Sequence, residues 1–167
     1  MLRTQRRRHG QGEGCYRGRV WLWHQQYLLL MNRILVLCTG NSCRSQMAEG
    51  YLRALGGPAL EVFSAGIEAH GVNPRAIAVM QEDGIDITGH TSKTVDALLG
   101  QPFDYVITVC DSARENCPWF PAQAERMHFD FPDPAKATGS EEQIMAEFRR
   151  VRGMIKAYCG SFIRTLG

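Results

Sequence analysis

The stretch Ile34-Leu35-Val36-Leu37-Cys38-Thr39-Gly40-Asn41-Ser42-Cys43-Arg44-Ser45 decides how this chain is read. Its four leading apolar residues form the continuous run expected of a parallel strand buried on both faces. Small and polar residues then turn the chain. Residues 44–55 read as a helix, with Met47, Tyr51 and Leu55 at i, i+4 spacing and Gly56-Gly57 ending it. A buried strand, a short loop and a helix start, in that order, bring backbone amides together around an anion.

The residue types in the loop sharpen this reading. Gly40, Asn41 and Ser42 are small enough for successive N–H groups of Thr39 to Arg44 to turn inward as a nest, Cys43 included. Arg44 can fork two hydrogen bonds onto a tetrahedral oxyanion. The same positive field favours a thiolate at Cys38, and Ser45 is placed to donate its hydroxyl to that sulfur. The spacing is cysteine, five residues, arginine. No other cysteine repeats it, because six positions beyond each lie Trp21, Glu49, Asn116, Gln123 and Thr165. The plain alternative is a buried cysteine with a surface arginine nearby, and the strand–loop–helix context weighs against it.

Downstream, strands and helices alternate. Leu60 to Ser64 reads as a second strand. Asn73-Pro74 is a capping side chain followed by a proline at the first helical position, and that helix runs to about Asp83 and stops at Gly84. Thr91 or Ser92 is expected to cap a short helix through Leu99. Residues 103–109 are rich in β-branched and aromatic side chains and read as a strand. Met127 to Phe131 is a candidate fourth strand. Ser140-Glu141-Glu142-Gln143 has the capping-box pattern and opens a long helix with apolar residues at 144, 148, 151, 155, 158 and 162. Alternation of this kind predicts an α/β fold: a four-stranded parallel sheet with helices on both faces, its site at the carboxyl ends of the strands.

Length and composition set the outer limits. The 167 residues suit one domain, and 44% apolar with 22% charged residues is ordinary for a globular chain. No apolar run approaches the roughly 18 residues of a membrane span. Residues 1–30 carry six arginines against one acid, whereas residues 31–167 are net acidic by three charges. The basic character therefore belongs to the front segment alone and does not argue for nucleic acid. Residues 1–30 are predicted to be a basic, poorly ordered extension, because His24, Gln25 and Gln26 interrupt the apolar stretch a signal peptide needs. A basic arm for RNA is the alternative. Residues 31–167 are predicted to form the folded domain, with Met31 at its start.

Two further cysteines stand out. Cys110 ends the strand of residues 103–109, which places it on the same sheet edge as Cys38, and Cys117 follows seven residues later. Cysteines of a cytosolic chain are seldom structural disulfides, and no zinc-ligand spacing is present. By spacing alone the pair can equally be two ordinary buried thiols.

The loop Cys38 to Ser45 resembles the signature of the low-molecular-weight tyrosine phosphatase superfamily, carried on a flavodoxin-like sheet. That resemblance implies a general-acid aspartate before a proline in a late loop. Asp133-Pro134 fits it, and Asp130 is the rival without the proline. The wider segments Cys38 to Gly50, Ser64 to Pro74 and Val109 to Pro118 are similar to the thioredoxin-coupled arsenate reductases of that superfamily. The likeness runs from about Met31 to the final helix, and Ala135-Lys136 stand where true phosphatases of this fold typically have tyrosines.

This resemblance implies reduction of arsenate to arsenite. Arsenate would bind Thr39 to Arg44, Cys38 would attack arsenic, and Asp133 would protonate the departing hydroxide. A transient Cys38–Cys110 disulfide would expel arsenite. A Cys110–Cys117 disulfide would follow and be reduced by thioredoxin, with glutaredoxin and glutathione the alternative reductant. The expectation is a cytoplasmic monomer without cofactor, metal, nucleic acid or membrane partner. Cys15, Cys43 and Cys159 receive no redox role, and His70, His90 and His128 no chemistry. Some relatives bind potassium with residues corresponding to Asn41, Glu49 and Ser64 plus an aspartate. Lys93 stands at the fourth position here, so its ammonium is expected to pair with Glu49 in the cation's place. Two other readings remain: a phosphatase using Cys38, Arg44 and Asp133, and a non-catalytic oxyanion-binding module.

Overall fold

A computed structural model describes residues 31–115 and 124–166. The predicted extension 1–30 and Cys117 lie outside the described residues. The strands are β1 (Asn32–Cys38), β2 (Leu60–Gly66), β3 (Tyr105–Thr108) and β4 (Glu125–His128). The α-helices are α1 (Arg44–Gly56), α2 (Pro74–Glu82), α3 (Asp111–Glu115) and α4 (Glu141–Leu166). The strands are parallel throughout and lie in the order β2-β1-β3-β4.

In this order the chain leaves β1 toward β2 on one side and later returns to β3 on the other. The crevice beyond the carboxyl end of β1 is thus a topological switch point, where such sheets bind ligands. Ile34, Leu35 and Val36 are fully buried, so both faces of β1 are covered, as the unbroken apolar run predicts.

The helix boundaries follow local chemistry. Asn73 Oδ1 accepts the Arg75 N–H at 2.9 Å, with Pro74 filling the first helical position. Gln143 N–H donates to Ser140 Oγ at 3.3 Å and Ser140 N–H to Gln143 Oε1 at 2.9 Å, a reciprocal capping box. From there Phe148, Val151, Ile155, Cys159 and Phe162 run along the buried face of α4, which packs mainly on α1 and α2. Cys159 belongs to that buried stripe; Ile144 and Tyr158 are half-buried.

Four sequence expectations need correction. Leu55 is exposed, and Leu52 takes its place in the core, because α1 buries the face of Met47, Ala48, Tyr51 and Leu52 against α4 and the sheet. Residues 91–94 are extended, not helical, and only a 3₁₀ turn, Val95–Leu98, follows. Their backbone is used elsewhere: the Lys93 carbonyl accepts the Gly66 N–H, and the Lys93 N–H donates to Asn41 Oδ1. Ordered pairing in β3 covers residues 105–108 of the expected 103–109. The fourth strand is Glu125–His128 and not 127–131. Its ladder with β3 ends at Thr108 opposite His128; beyond it Phe129 and Phe131 still donate their N–H groups to the Thr108 and Val109 carbonyls, which carries residues 129–131 alongside toward the switch point. Among the described residues no helix is long and apolar enough to cross a membrane.

Candidate active site

Cys38 is the last residue of β1 and Arg44 the first of α1, so the loop between them sits at the switch point. The segment after β2 holds this loop. Ile67, Glu68, His70 and Asn73 donate their N–H groups to the carbonyls of Cys38, Thr39, Gly40 and Ser42, at 2.9–3.3 Å. Gln46 Nε2 donates to the Asn41 carbonyl. The C=O and N–H of one peptide point in opposite directions. Drawing five carbonyls outward therefore turns the amides of residues 39–43 toward a common centre. The Asn41 N–H reports that direction, donating to Cys38 Sγ at 3.2 Å.

This clamp requires close approach. A Cβ on Gly66 would stand 2.3 Å from the Glu68 carbonyl oxygen and 2.6 Å from that of Thr39, so only glycine fits there. Asn41 adopts the left-handed conformation, with φ of 44°, which asparagine tolerates better than most residues.

Asn41 is fully buried and each side-chain atom is engaged. Oδ1 accepts from the Lys93 N–H at 2.9 Å and from Gln46 Nε2 at 3.1 Å. Nδ2 donates to Ser45 Oγ at 2.9 Å and to Ser64 Oγ at 2.8 Å. Ser64 in turn donates to the Glu49 carboxylate. Since Ser45 accepts from Asn41, its own proton is directed at Cys38 Sγ, 2.8 Å away.

Arg44 is anchored by the loop beyond β4. Nη1 donates to the Phe131 carbonyl at 3.0 Å, and Nη2 meets Asp133 Oδ2 at 3.1 Å. Asp133 also accepts from the Ala135 N–H, capping the 3₁₀ turn Pro134–Lys136. Asp130 lines the same cleft, but the carboxylate on Arg44 is that of Asp133. The cleft has a volume of about 560 Å³ and is bordered by Cys38, Arg44, His70, Cys110, Asp133 and Lys136.

Cys110 follows β3 and caps α3, its carbonyl accepting the Arg114 N–H. Its sulfur lies 3.4 Å from Thr39 Oγ1. Two cysteines far apart in sequence therefore border one cleft. Among the described residues Cys38, Cys43, Cys110 and Cys159 are free thiols. Burial pushes the Cys43 thiol up to about 11 and that of Cys159 up to about 12, so both stay neutral.

The expectation for Lys93 is overturned. Lys93 Nζ points to the Thr91 carbonyl at the surface. The cation on Glu49 is Arg53, one helical turn along α1, with Nη2 at 2.5 Å from Oε1. The i, i+4 geometry of a helix makes Arg53 the nearer partner, and the Lys93 backbone is committed to Asn41 and Gly66. Asn41, Glu49 and Ser64 do come together as the resemblance implies. Among the described residues no group of three His, Cys, Asp or Glu side chains is set to hold a metal ion.

Sequence reasoning missed the clamp of residues 67–73, the role of Gln46 and the contacts of three histidines. The recurrence of small and polar residues from Ser64 to Asn73 was the available signal. His70 packs its ring over Gly40, where a Cβ would be 2.5 Å from Nδ1, and its Nε2 meets Glu68 at 2.6 Å.

Residues 33–167 match the family model of low molecular weight phosphotyrosine protein phosphatases. The chain belongs to this family. An arsenate reductase of Halalkalibacterium halodurans is 52% identical over 132 residues, covering 79% of this chain and 95% of that protein. An arsenate reductase of Bacillus subtilis is 48% identical over the same shares. Among solved structures, an arsenate reductase in a phosphate-binding state superposes with a TM-score of 0.68 at 33% identity, covering 82% of this chain and all of that one. The Wzb protein of Vibrio vulnificus in complex with benzylphosphonate gives 0.68 at 26% identity, over 81% and 99%. The four-stranded parallel sheet read from the sequence is the fold these relatives share.

Proposed function

We propose that this chain, through residues 31–167, reduces arsenate to arsenite by a relay of three thiols. The observation that carries the reading is Cys110, a second thiol bordering the oxyanion cleft of Cys38 and held at Thr39. A phosphate-ester hydrolase has no use for it. Relatives named arsenate reductase support the same substrate.

Arsenate lies on the amides of residues 39–43 and the Arg44 guanidinium, which stabilise its charge as it becomes five-coordinate. The Cys38 thiolate forms an S–As bond, and one oxygen leaves as water after taking a proton from Asp133. Cys110 thiolate then attacks Cys38 Sγ. A Cys38–Cys110 bond forms, and the electron pair of the S–As bond stays on arsenic, which departs as arsenite. Cys117 thiolate attacks Cys110, releasing Cys38 and leaving a Cys110–Cys117 disulfide. An external dithiol of the thioredoxin class restores both thiols, with glutaredoxin and glutathione the alternative source. The free thiols among the described residues fit a reducing compartment such as the cytoplasm, and the chain acts as a monomer.

The test is a disulfide map. Reduced protein is mixed with arsenate, alkylated and digested, and peptide masses are read. A Cys110–Cys117 disulfide with Cys38 free is the expected result. Three free thiols, together with aryl-phosphate cleavage that needs Cys38 and survives Cys110→Ser, would transfer the site to a phosphatase. That second reading has one observation in its favour, the Arg44–Asp133 pair over the loop, which serves phosphoryl transfer equally well. If Cys38→Ser changes neither reduction nor hydrolysis, the site is a binding module.

A further inference from the structure

His128 brackets Cys110. Its Nδ1 lies 2.8 Å from the hydroxyl of Thr108, two residues before the cysteine, and its Nε2 lies 3.1 Å from Asp111 Oδ1, one residue after it. A carboxylate only accepts, so Nε2 carries a proton and donates to Asp111. Nδ1 pairs with the Thr108 hydroxyl, which also lies 3.4 Å from the Met127 carbonyl oxygen. The two ends of this bridge differ in character. Thr108 is the last paired residue of β3, nearly buried, with Leu37 and His128 as its strand neighbours. Asp111 is the first residue of α3, a helix of five residues, and its side chain is mostly exposed. One end is fixed in the sheet and the other is attached to an element with little packing of its own; Ala113 is the buried residue of α3.

We propose that His128 is a positioning residue, a latch that holds the first turn of α3 closed and so keeps Cys110 at Thr39, beside the cleft. The inference rests on the relay reading for its purpose. Cys110 must meet Cys38 first and a different thiol afterwards, and a shift of the backbone at residues 111–115 re-aims its sulfur further than side-chain rotation alone. Breaking the His128–Asp111 bond frees that movement. The Thr108–His128 bond survives it, so the imidazole remains in place for Asp111 to return to. The latch is weak by design of its surroundings: Asp111 is solvated, and a single partly exposed hydrogen bond shifts an opening equilibrium by a small factor.

Iodoacetamide labelling of fully reduced, full-length protein tests this without arsenate. Cys110 is 3% exposed, so its labelling reports local opening around it. In His128→Ala and in Asp111→Ala, Cys110 is expected to label about fivefold faster than in the unaltered protein. Cys38 should label at an unchanged rate, and the double variant should go no faster than either single one. His128→Gln, whose amide can still donate toward Asp111, should return most of the protection. An unchanged Cys110 rate in both single variants overturns the latch. So does equal acceleration of Cys38 and Cys110, which means general loosening. If arsenate leaves all thiols free while His128→Ala still exposes Cys110, the relay reading falls and the latch stands.

Discussion

Ser45 Oγ sits 2.8 Å from Cys38 Sγ while accepting a hydrogen bond from Asn41 Nδ2 at 2.9 Å, so its single proton is left for the sulfur. The buried amide of Asn41 thereby decides the direction of a hydroxyl at the nucleophile. Alkylation runs through the thiolate, and removing that hydroxyl takes one charge-assisted hydrogen bond from it, about 1.5–3 kcal/mol. Ser45→Ala is expected to slow alkylation of Cys38 at pH 7 by tenfold or more, at about that energy. Cys110 alkylation, read from the same digest, should not change.

Arg53 makes a cation from solution unnecessary at Glu49. Its guanidinium meets the buried carboxylate and also donates twice to the Val62 carbonyl, at 2.7 and 3.2 Å. Turnover should therefore be the same in sodium and potassium salts at equal ionic strength. Arg53→Gln should lower stability by about 2 kcal/mol, because a buried carboxylate loses its countercharge. A several-fold potassium stimulation of the unaltered enzyme would contradict this assignment.

Stability should fall on mild acidification because of His90. Burial holds this imidazole below its ordinary 6.5, and its Nδ1 faces Gln46 Oε1 at 3.0 Å. The unfolded chain takes up the proton first as pH drops. The contribution of the neutral ring is thus full above about pH 6.5 and is lost as pH falls through the lower folded value. Asp83, held below the ordinary carboxylate range chiefly by hydrogen bonds from Lys156 and Tyr51, loses its contribution only below about pH 4. Melting temperatures of unaltered protein and His90→Asn between pH 8 and 4.5 check the sign. The variant should be flatter between pH 6.5 and 5.

Gly66 and Gly89 should behave as opposites. A Cβ at Gly66 meets the backbone of Glu68, Thr39 and Asn41, whereas one at Gly89 meets nothing within 4 Å. Gly66→Ala must displace the clamp from the loop. It is expected to cost about 1–3 kcal/mol in denaturant titration, with activity lost beyond the loss of folded protein. Gly89→Ala should leave both within error.

The course of the chain from β1 to α1 was legible in residues 34–45 alone. An apolar run long enough to be covered on both faces, small loop residues and Arg44 at a helix start are local properties, and they were enough to locate the loop. The caps at Asn73 and Ser140 were equally legible, because an N-cap is written within four residues. Features that depend on distant backbone emerged only from packing. The ladder of β4 with β3 ends at Thr108. The extended form of residues 91–94 followed from the needs of Gly66 and Asn41. The countercharge of Glu49 proved to be Arg53, because a helix face brings residues four apart together whatever the sequence position of a rival lysine. The clamp on the loop carbonyls and the bridge from Thr108 through His128 to Asp111 join segments many residues apart. Hydrogen bonds of that kind leave no periodic trace in the chain, since their partners are chosen by the packing of the sheet.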